Sequence, residues 1–171
     1  MIPITIIGAG IAGLACARRL TQAGLAPVVL DKGRGIGGRV ATRRVDAMQF
    51  DHGAQYVTAR TPSFAAVLEG LQTAGALVDW PDDNGHHRSV GRPGMSSLAK
   101  AMGQGLDIRQ GMQVTGVTQT GAGWDLHLGE TLLQTKRVVI TVPAPQVAGL
   151  LGSDHPLTKA VSPVRMAPCL T

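Results

Sequence analysis

Three glycines near the start of the chain, Gly8, Gly10 and Gly13 in the stretch GAGIAG, fall in the spacing G-x-G-x-x-G. Each has its own task there: the first permits a tight turn, the second lets backbone approach a pyrophosphate, and the third lets a helix pack closely on a strand. The chemistry is anion binding. Unpaired N–H groups at a helix N-terminus can meet phosphate oxygens, and the helix dipole favours the negative charge. Asp31, eighteen residues past Gly13, adds a carboxylate able to accept hydrogen bonds from both hydroxyls of a ribose. An acid at that place also repels a ribose 2′-phosphate. Together these residues read as a dinucleotide site.

To bring them together the chain needs a strand, a turn, a helix and a second strand. IPITII at 2–7 is a short β-branched run that predicts a buried strand, and APVVL at 26–30 predicts another. Between them the apolar spacing predicts a helix from Ile11 to Ala23, with Gly24 placed to end it. A βαβ unit of this kind implies parallel strands. Further on, 63–74 reads as a helix, DWPDDNGHHRS at 79–89 as a polar loop, and 95–102 as a helix entered through the turn GRPG. DIRQGMQVTGVTQT, GWDLHL and TLLQTKRVVITVP read as a strand, a hairpin and a strong buried strand ending at Pro143. Trp80 and Trp124 are expected to be packing residues.

Composition bounds the function. With 171 residues, 44% hydrophobic and 16% charged, the chain can bury one core and is not disordered. The formal charge of +5 would suit nucleic acid, but five basic residues, Lys32, Arg34, Arg39, Arg43 and Arg44, cluster without interleaved aromatics. No nucleic-acid partner is expected. Cys16 and Cys169 do not make a disulfide framework or a zinc site, and a cytoplasmic location is expected. Residues 1–17 are apolar, but three glycines interrupt them and Arg18 and Arg19 end them, so neither a signal segment nor a membrane span fits. His86 and His87 lack partners at ligand spacing, so no metal is expected. Asp51 and His52 are neighbours on a strand, where adjacent side chains point to opposite faces, so they cannot both serve one site as acid and base.

A nicotinamide site has no need of the next stretch, DKGRGIGGRVATRR. Here the sequence resembles the flavin-containing amine oxidase superfamily, whose R-x-G-G-R element is matched by Arg34, Gly37, Gly38 and Arg39, with one extra residue after Arg34. Together with FDHGAQYVTAR at 50–60, GRPGMSSLAKAM at 91–102 and VVITVPAPQ at 138–146, it is similar to the renalase-like branch over essentially all of its length. The resemblance implies FAD as cofactor. Gly8, Gly10, Ala12 and Gly13 would line the pyrophosphate, Asp31 would bind the adenosine ribose, and Gly38 with Arg39 would reach the phosphate region. Gly53, Ala54 and Gln55 would lie along the flavin, and the backbone of Val114 would meet the adenine. A guanidinium beside bare glycine backbone is physically a good phosphate clamp. Arg34, Arg43 and Arg44 read as surface charge, and no catalytic residue is named.

The fold implied is α/β: a Rossmann-like FAD/NAD(P)-binding domain over 1–171 with a central parallel sheet and, at 60–95, part of a second, substrate-facing subdomain. The function implied is hydride transfer from a small-molecule substrate, a reduced nicotinamide-type compound or an amine, to the flavin, with reoxidation by oxygen. Members of the superfamily also carry a substrate sheet and a closing glycine-aspartate motif that these residues lack. The chain is therefore expected to be the first half of an enzyme, with one face of its sheet uncovered and self-association through that face. A non-catalytic dinucleotide-binding module and an NAD-dependent dehydrogenase fragment are the alternatives.

Overall fold

The computed structural model describes residues 1–81 and 87–167; His86, Cys169 and the middle of the 79–89 segment lie outside the described residues. The chain divides into two compact units, residues 1–34 with 105–171, and residues 35–104.

The first unit opens as the sequence predicts. The β-branched run forms strand β1 (Ile4–Ile7), every residue of it buried. Gly10 then occupies the N-cap position of helix α1 (Ile11–Gln22), whose inward face carries Gly13, Leu14 and Ala17. Gly24, with φ at 78°, turns the chain out of the helix as only glycine does cheaply. Strand β2 (Pro27–Leu30) is again wholly buried and lies parallel to β1, with Ile4 opposite Pro27 and Ile7 opposite Leu30.

The second unit begins with a single 3-10 turn, Gly38–Val40. Strands β3 (Thr42–Val45) and β4 (Met48–Asp51) follow as an antiparallel hairpin. Helix α2 (Pro62–Thr73) starts at Thr61, whose hydroxyl accepts from the Phe64 amide, with proline in the first turn where its missing N–H costs nothing. Strands β5 (Leu77–Trp80) and β6 (Arg88–Gly91) pair antiparallel, and helix α3 (Ser96–Gly103) closes the unit. Its buried side chains include Leu68, Leu71, Leu77, Met95, Leu98 and Met102. Two expectations are corrected here. Both ends of the 79–89 segment are strand, because Asp79 pairs with Ser89 and Trp80 with Arg88. Trp80 is 43% exposed rather than packed inside, and it meets the Tyr56 ring edge-on at 5.9 Å, with the Arg88 guanidinium 4.7 Å from the centre of that ring.

The chain then returns to the first unit. Strand β7 (Asp107–Arg109) pairs parallel with β2. Strands β8 (Gly116–Thr120), β9 (Gly123–Leu128) and β10 (Thr131–Thr135) form an antiparallel meander. Strand β11 (Val138–Ile140) pairs parallel with β1, completing the order β11-β1-β2-β7. Helices α4 (Ala144–Leu151) and α5 (Pro156–Val161) follow. Each long sequence run is thus cut in two. Gly111, at φ 69°, breaks the first between sheets. Lys136 and Arg137 break the second, where the Lys136 amide donates to Ile2 and the Arg137 carbonyl accepts from Thr5. β11 is only half-buried.

The expected bare sheet face is also corrected. Side chains alternate along a strand, and α1 takes one set, while Ile7, Val28 and Leu30 pack into a cluster with Val114, Val117 and Leu126. The meander therefore covers the face that helices cover in doubly wound sheets, and a parallel pair needs both faces buried. Trp124 packs against this cluster as expected. Among the described residues no helix is long and apolar enough to cross a membrane.

Candidate dinucleotide site

The glycine fingerprint sits where β1 gives way to α1. Gly8 has φ at 106°, a conformation L side chains avoid, and its amide donates to the Leu30 carbonyl at 2.8 Å. A Cβ on Gly13 would fall on the carbonyl oxygen of Gly8, so this glycine is what lets helix and strand touch. Gly10 differs from both. A Cβ there would meet no heavy atom within 4 Å, and as the N-cap it brings no side-chain acceptor to the first turn of α1. The helix begins with its amides uncapped beside open space. Ala12 is exposed on the same turn.

Asp31 follows β2 directly and is half-buried. Its Oδ2 accepts from the Ala9 amide at 2.6 Å and its Oδ1 from the Gly33 amide at 2.7 Å. The carboxylate therefore already grips the glycine turn. Each oxygen keeps a second acceptor site, so ribose hydroxyls can still be bound. The segment after β7 is tied to the same residue, with the Met112 amide donating to the Asp31 carbonyl at 2.8 Å. Val114, two residues on, buries its side chain in the core at 8% exposure, which leaves its backbone as the part a ligand could meet. Thr141, just after β11, was missed by sequence reasoning. Its one hydroxyl proton is shared between the carbonyls of Ile7, at 2.9 Å, and Gly8, at 3.0 Å. The signal was weak, since threonine in VVITVP looks like one more β-branched strand residue.

In the second unit Gly37 and Gly38 both have positive φ, 116° and 55°. They bend the chain so that the Arg39 carbonyl accepts from the Ala54 amide at 2.8 Å. A Cβ on Gly53 would lie on that carbonyl. The structure thus joins Arg39, Gly53 and Ala54 into one contact, with Gly38 preceding Arg39 in the chain and Gln55 following Ala54, exposed. The Arg39 side chain is exposed as well.

Asp51 has a different task from the acid/base role it suggests. Its Oδ1 accepts from the Thr42 hydroxyl and from the Met95 amide at 2.9 Å, and Thr42 Oγ1 accepts from the Ser96 amide at 2.9 Å. Two side chains of the β3–β4 hairpin therefore cap α3, which has no cap of its own. The Gly94 position faces this cluster, and a Cβ there would meet Gln49, Thr42 and Asp51 side-chain atoms. His52 is exposed. Among the described residues no group of three or more His, Cys, Asp or Glu could hold a metal.

A parallel sheet with a glycine turn, an uncapped helix start and an acid after the second strand defines a Rossmann-like dinucleotide-binding fold. A sequence-family model described as NAD(P)-binding Rossmann-like domain matches residues 6–71. A second, described as flavin containing amine oxidoreductase, matches residues 64–170, more than half of the chain. The chain belongs to the flavin containing amine oxidoreductase family. A Drosophila melanogaster protein named "Possible lysine-specific histone demethylase 1" is 44% identical over 55 residues, which cover 32% of this chain and 6% of that protein. The solved structure of a fatty acid isomerase from P. acnes, described as CLA-producing, superposes with a TM-score of 0.75 at 14% identity, covering 94% of this chain and 63% of that one. A double mutant of putrescine oxidase superposes at 0.72 with 14% identity, covering 90% and 61%. At such identities the likeness is one of fold. The chain spans under two thirds of the length of these relatives.

Proposed function

We propose that this chain forms the dinucleotide-binding part of an FAD-dependent oxidoreductase. The observation that carries the reading is the uncapped start of α1 beside the open Gly10, with Asp31 at the end of the neighbouring strand. A cofactor with a pyrophosphate and a ribose fits those groups. Gly8, Gly10, Ala12 and Gly13 would line the pyrophosphate, where the amides of the helix start replace water around the phosphate oxygens. Asp31 would hold the ribose, and the backbone of Val114 the adenine. Gly38 and Arg39 would serve the phosphates, and Gly53, Ala54 and Gln55 the flavin. The flavin containing family matched by residues 64–170 favours FAD over NAD as the resident group, whereas the description matched by residues 6–71 names NAD(P).

When bound, FAD supplies the hydride acceptor, and oxygen or another acceptor reoxidises it. The residues named here would bind and orient the cofactor, and the Asp51 carboxylate is engaged in capping α3. The narrower reading is renalase-like: a reduced nicotinamide-type compound as substrate, with an amine as the broader family expectation. It rests on the FDHGAQYVTAR, GRPGMSSLAKAM and VVITVPAPQ segments. Anaerobic mixing of the flavin-loaded intact protein with each substrate class tests it. Bleaching of the flavin by dihydronicotinamides and not by amines is the expected result. Bleaching by amines alone moves the protein to the broader class, and bleaching by neither overturns the oxidase reading.

A further inference from the structure

The Gly8–Ala9 peptide is held at both ends by side chains from different strands. Its carbonyl accepts from Thr141 Oγ1 at 3.0 Å and its N–H donates to Asp31 Oδ2 at 2.6 Å. The preceding peptide is fixed in the same way, with the Ile7 carbonyl accepting from both the Thr141 amide at 3.0 Å and its hydroxyl at 2.9 Å. On its other side the Gly8 amide donates to Leu30. Thr141 Oγ1 is also the atom that a Cβ on either Gly8 or Gly13 would meet, at 2.9 Å in both cases. One hydroxyl thus stands behind the first and third glycines of the fingerprint while pinning the peptide that leads into Gly10.

We infer that Thr141 is a positioning residue for the cofactor loop: its hydroxyl, opposite Asp31, fixes the rotation of the Gly8–Ala9 peptide and so aims the backbone that enters α1 at the dinucleotide phosphates. The physical basis is rotational. Glycine at φ 106° leaves this peptide free to flip at little steric cost. Without a donor on the carbonyl side, Asp31 alone would have to hold it. A flipped peptide would turn a carbonyl toward the anion, where like partial charges repel. The role of Thr141 toward phosphate rests on the FAD reading, whereas its hold on Ala9 does not.

Thr141→Val keeps the β-branched shape and removes the hydroxyl; Thr141→Ser keeps the hydroxyl and removes a methyl. Amide hydrogen exchange is measured first on the intact protein stripped of flavin, and FAD titration follows. In Thr141→Val the Ala9 amide is expected to exchange at least about tenfold faster, with β1 and β2 amides unchanged, and FAD affinity to fall about fivefold or more. Thr141→Ser is expected to stay within about twofold of the parent in both measurements. If Thr141→Val does not fold, Thr141→Cys, a weak donor, carries the comparison with serine. Unchanged Ala9 exchange in the hydroxyl-free variant overturns the inference. So does a uniform loss of protection through β1 and β2, which would make Thr141 a strand tether only. Should the parent bind no FAD, the FAD reading fails while the exchange result still decides what Thr141 does.

Discussion

The two glycine-rich segments solve different problems. In the first unit the glycines lie against the fully buried central pair of a parallel sheet, β1 and β2, and the turn they form is gripped by strand carbonyls, Asp31 and Thr141. In the second unit Gly37 and Gly38 shape one 3-10 turn, Gly53 lies against the Arg39 carbonyl of that turn in the bend after a hairpin, and the hairpin itself leaves Val45, Met48 and Phe50 exposed at 38%, 56% and 50%. One segment is braced by a core. The other is braced by hydrogen bonds, chiefly Ala54 to Arg39 and the Asp51–Thr42 caps on α3. Substitutions in the first should therefore separate into those that break the fold and those that break only binding, while in the second they should erode local order first.

The largest contrast is expected between Gly13 and Gly10. Gly13→Val drives a side chain into the Gly8 carbonyl and should cost more than about 3 kcal/mol in denaturant unfolding. Gly10→Val meets open space, so stability should fall by about 1 kcal/mol or less while FAD binding is lost, because the side chain occupies the space the pyrophosphate needs. Equal unfolding losses in the two would erase the distinction between a packing glycine and a binding glycine.

Next is the hairpin brace. Asp51→Ala removes an acceptor from the Met95 amide and the Thr42 hydroxyl and should destabilise by about 1 to 2 kcal/mol, with exchange rising first at the start of α3. Arg39→Ala should leave unfolding nearly unchanged, since only its carbonyl holds Ala54, yet weaken FAD by about 1.5 to 3 kcal/mol in a titration. Arg43→Ala should change FAD affinity by less than about 0.5 kcal/mol; equal losses from both arginines would put the clamp elsewhere. Smallest is Asp107→Asn. Hydrogen bonding, then charge, from Asp107 raises the Arg109 pKa above its ordinary value, but the pair is 44% and 50% exposed, and such pairs contribute less than about 1 kcal/mol to unfolding.

How much of this was legible in the sequence follows the same division. β1, α1 and β2 could be read because local pattern and tertiary role agree there: β-branched runs are buried on both faces, and Gly24 ends the helix at positive φ. The strands after residue 105 could be counted only in part, since apolar alternation does not reveal that Gly111 and Lys136 send neighbouring stretches to different sheets. The resemblance gave Arg39 and Gly53 separate places along the cofactor, and no periodicity predicts their contact, a carbonyl against a missing side chain. Asp51 and Thr141 act through bonds to distant backbone, Met95 in one case and Gly8 in the other. Such partners are set by topology, so residue type alone suggested acid/base chemistry for the first and strand packing for the second.

The central claim is that the open start of α1 at Gly10 receives the pyrophosphate of FAD. It is tested most directly by titrating FAD into the flavin-free intact protein and its Gly10→Val variant, with both shown to unfold at nearly the same denaturant concentration. Saturable binding by the parent, with the visible spectrum of protein-bound flavin, and none by the variant is the predicted result. Equal FAD affinity in the two proteins, or a parent that binds none, would contradict it.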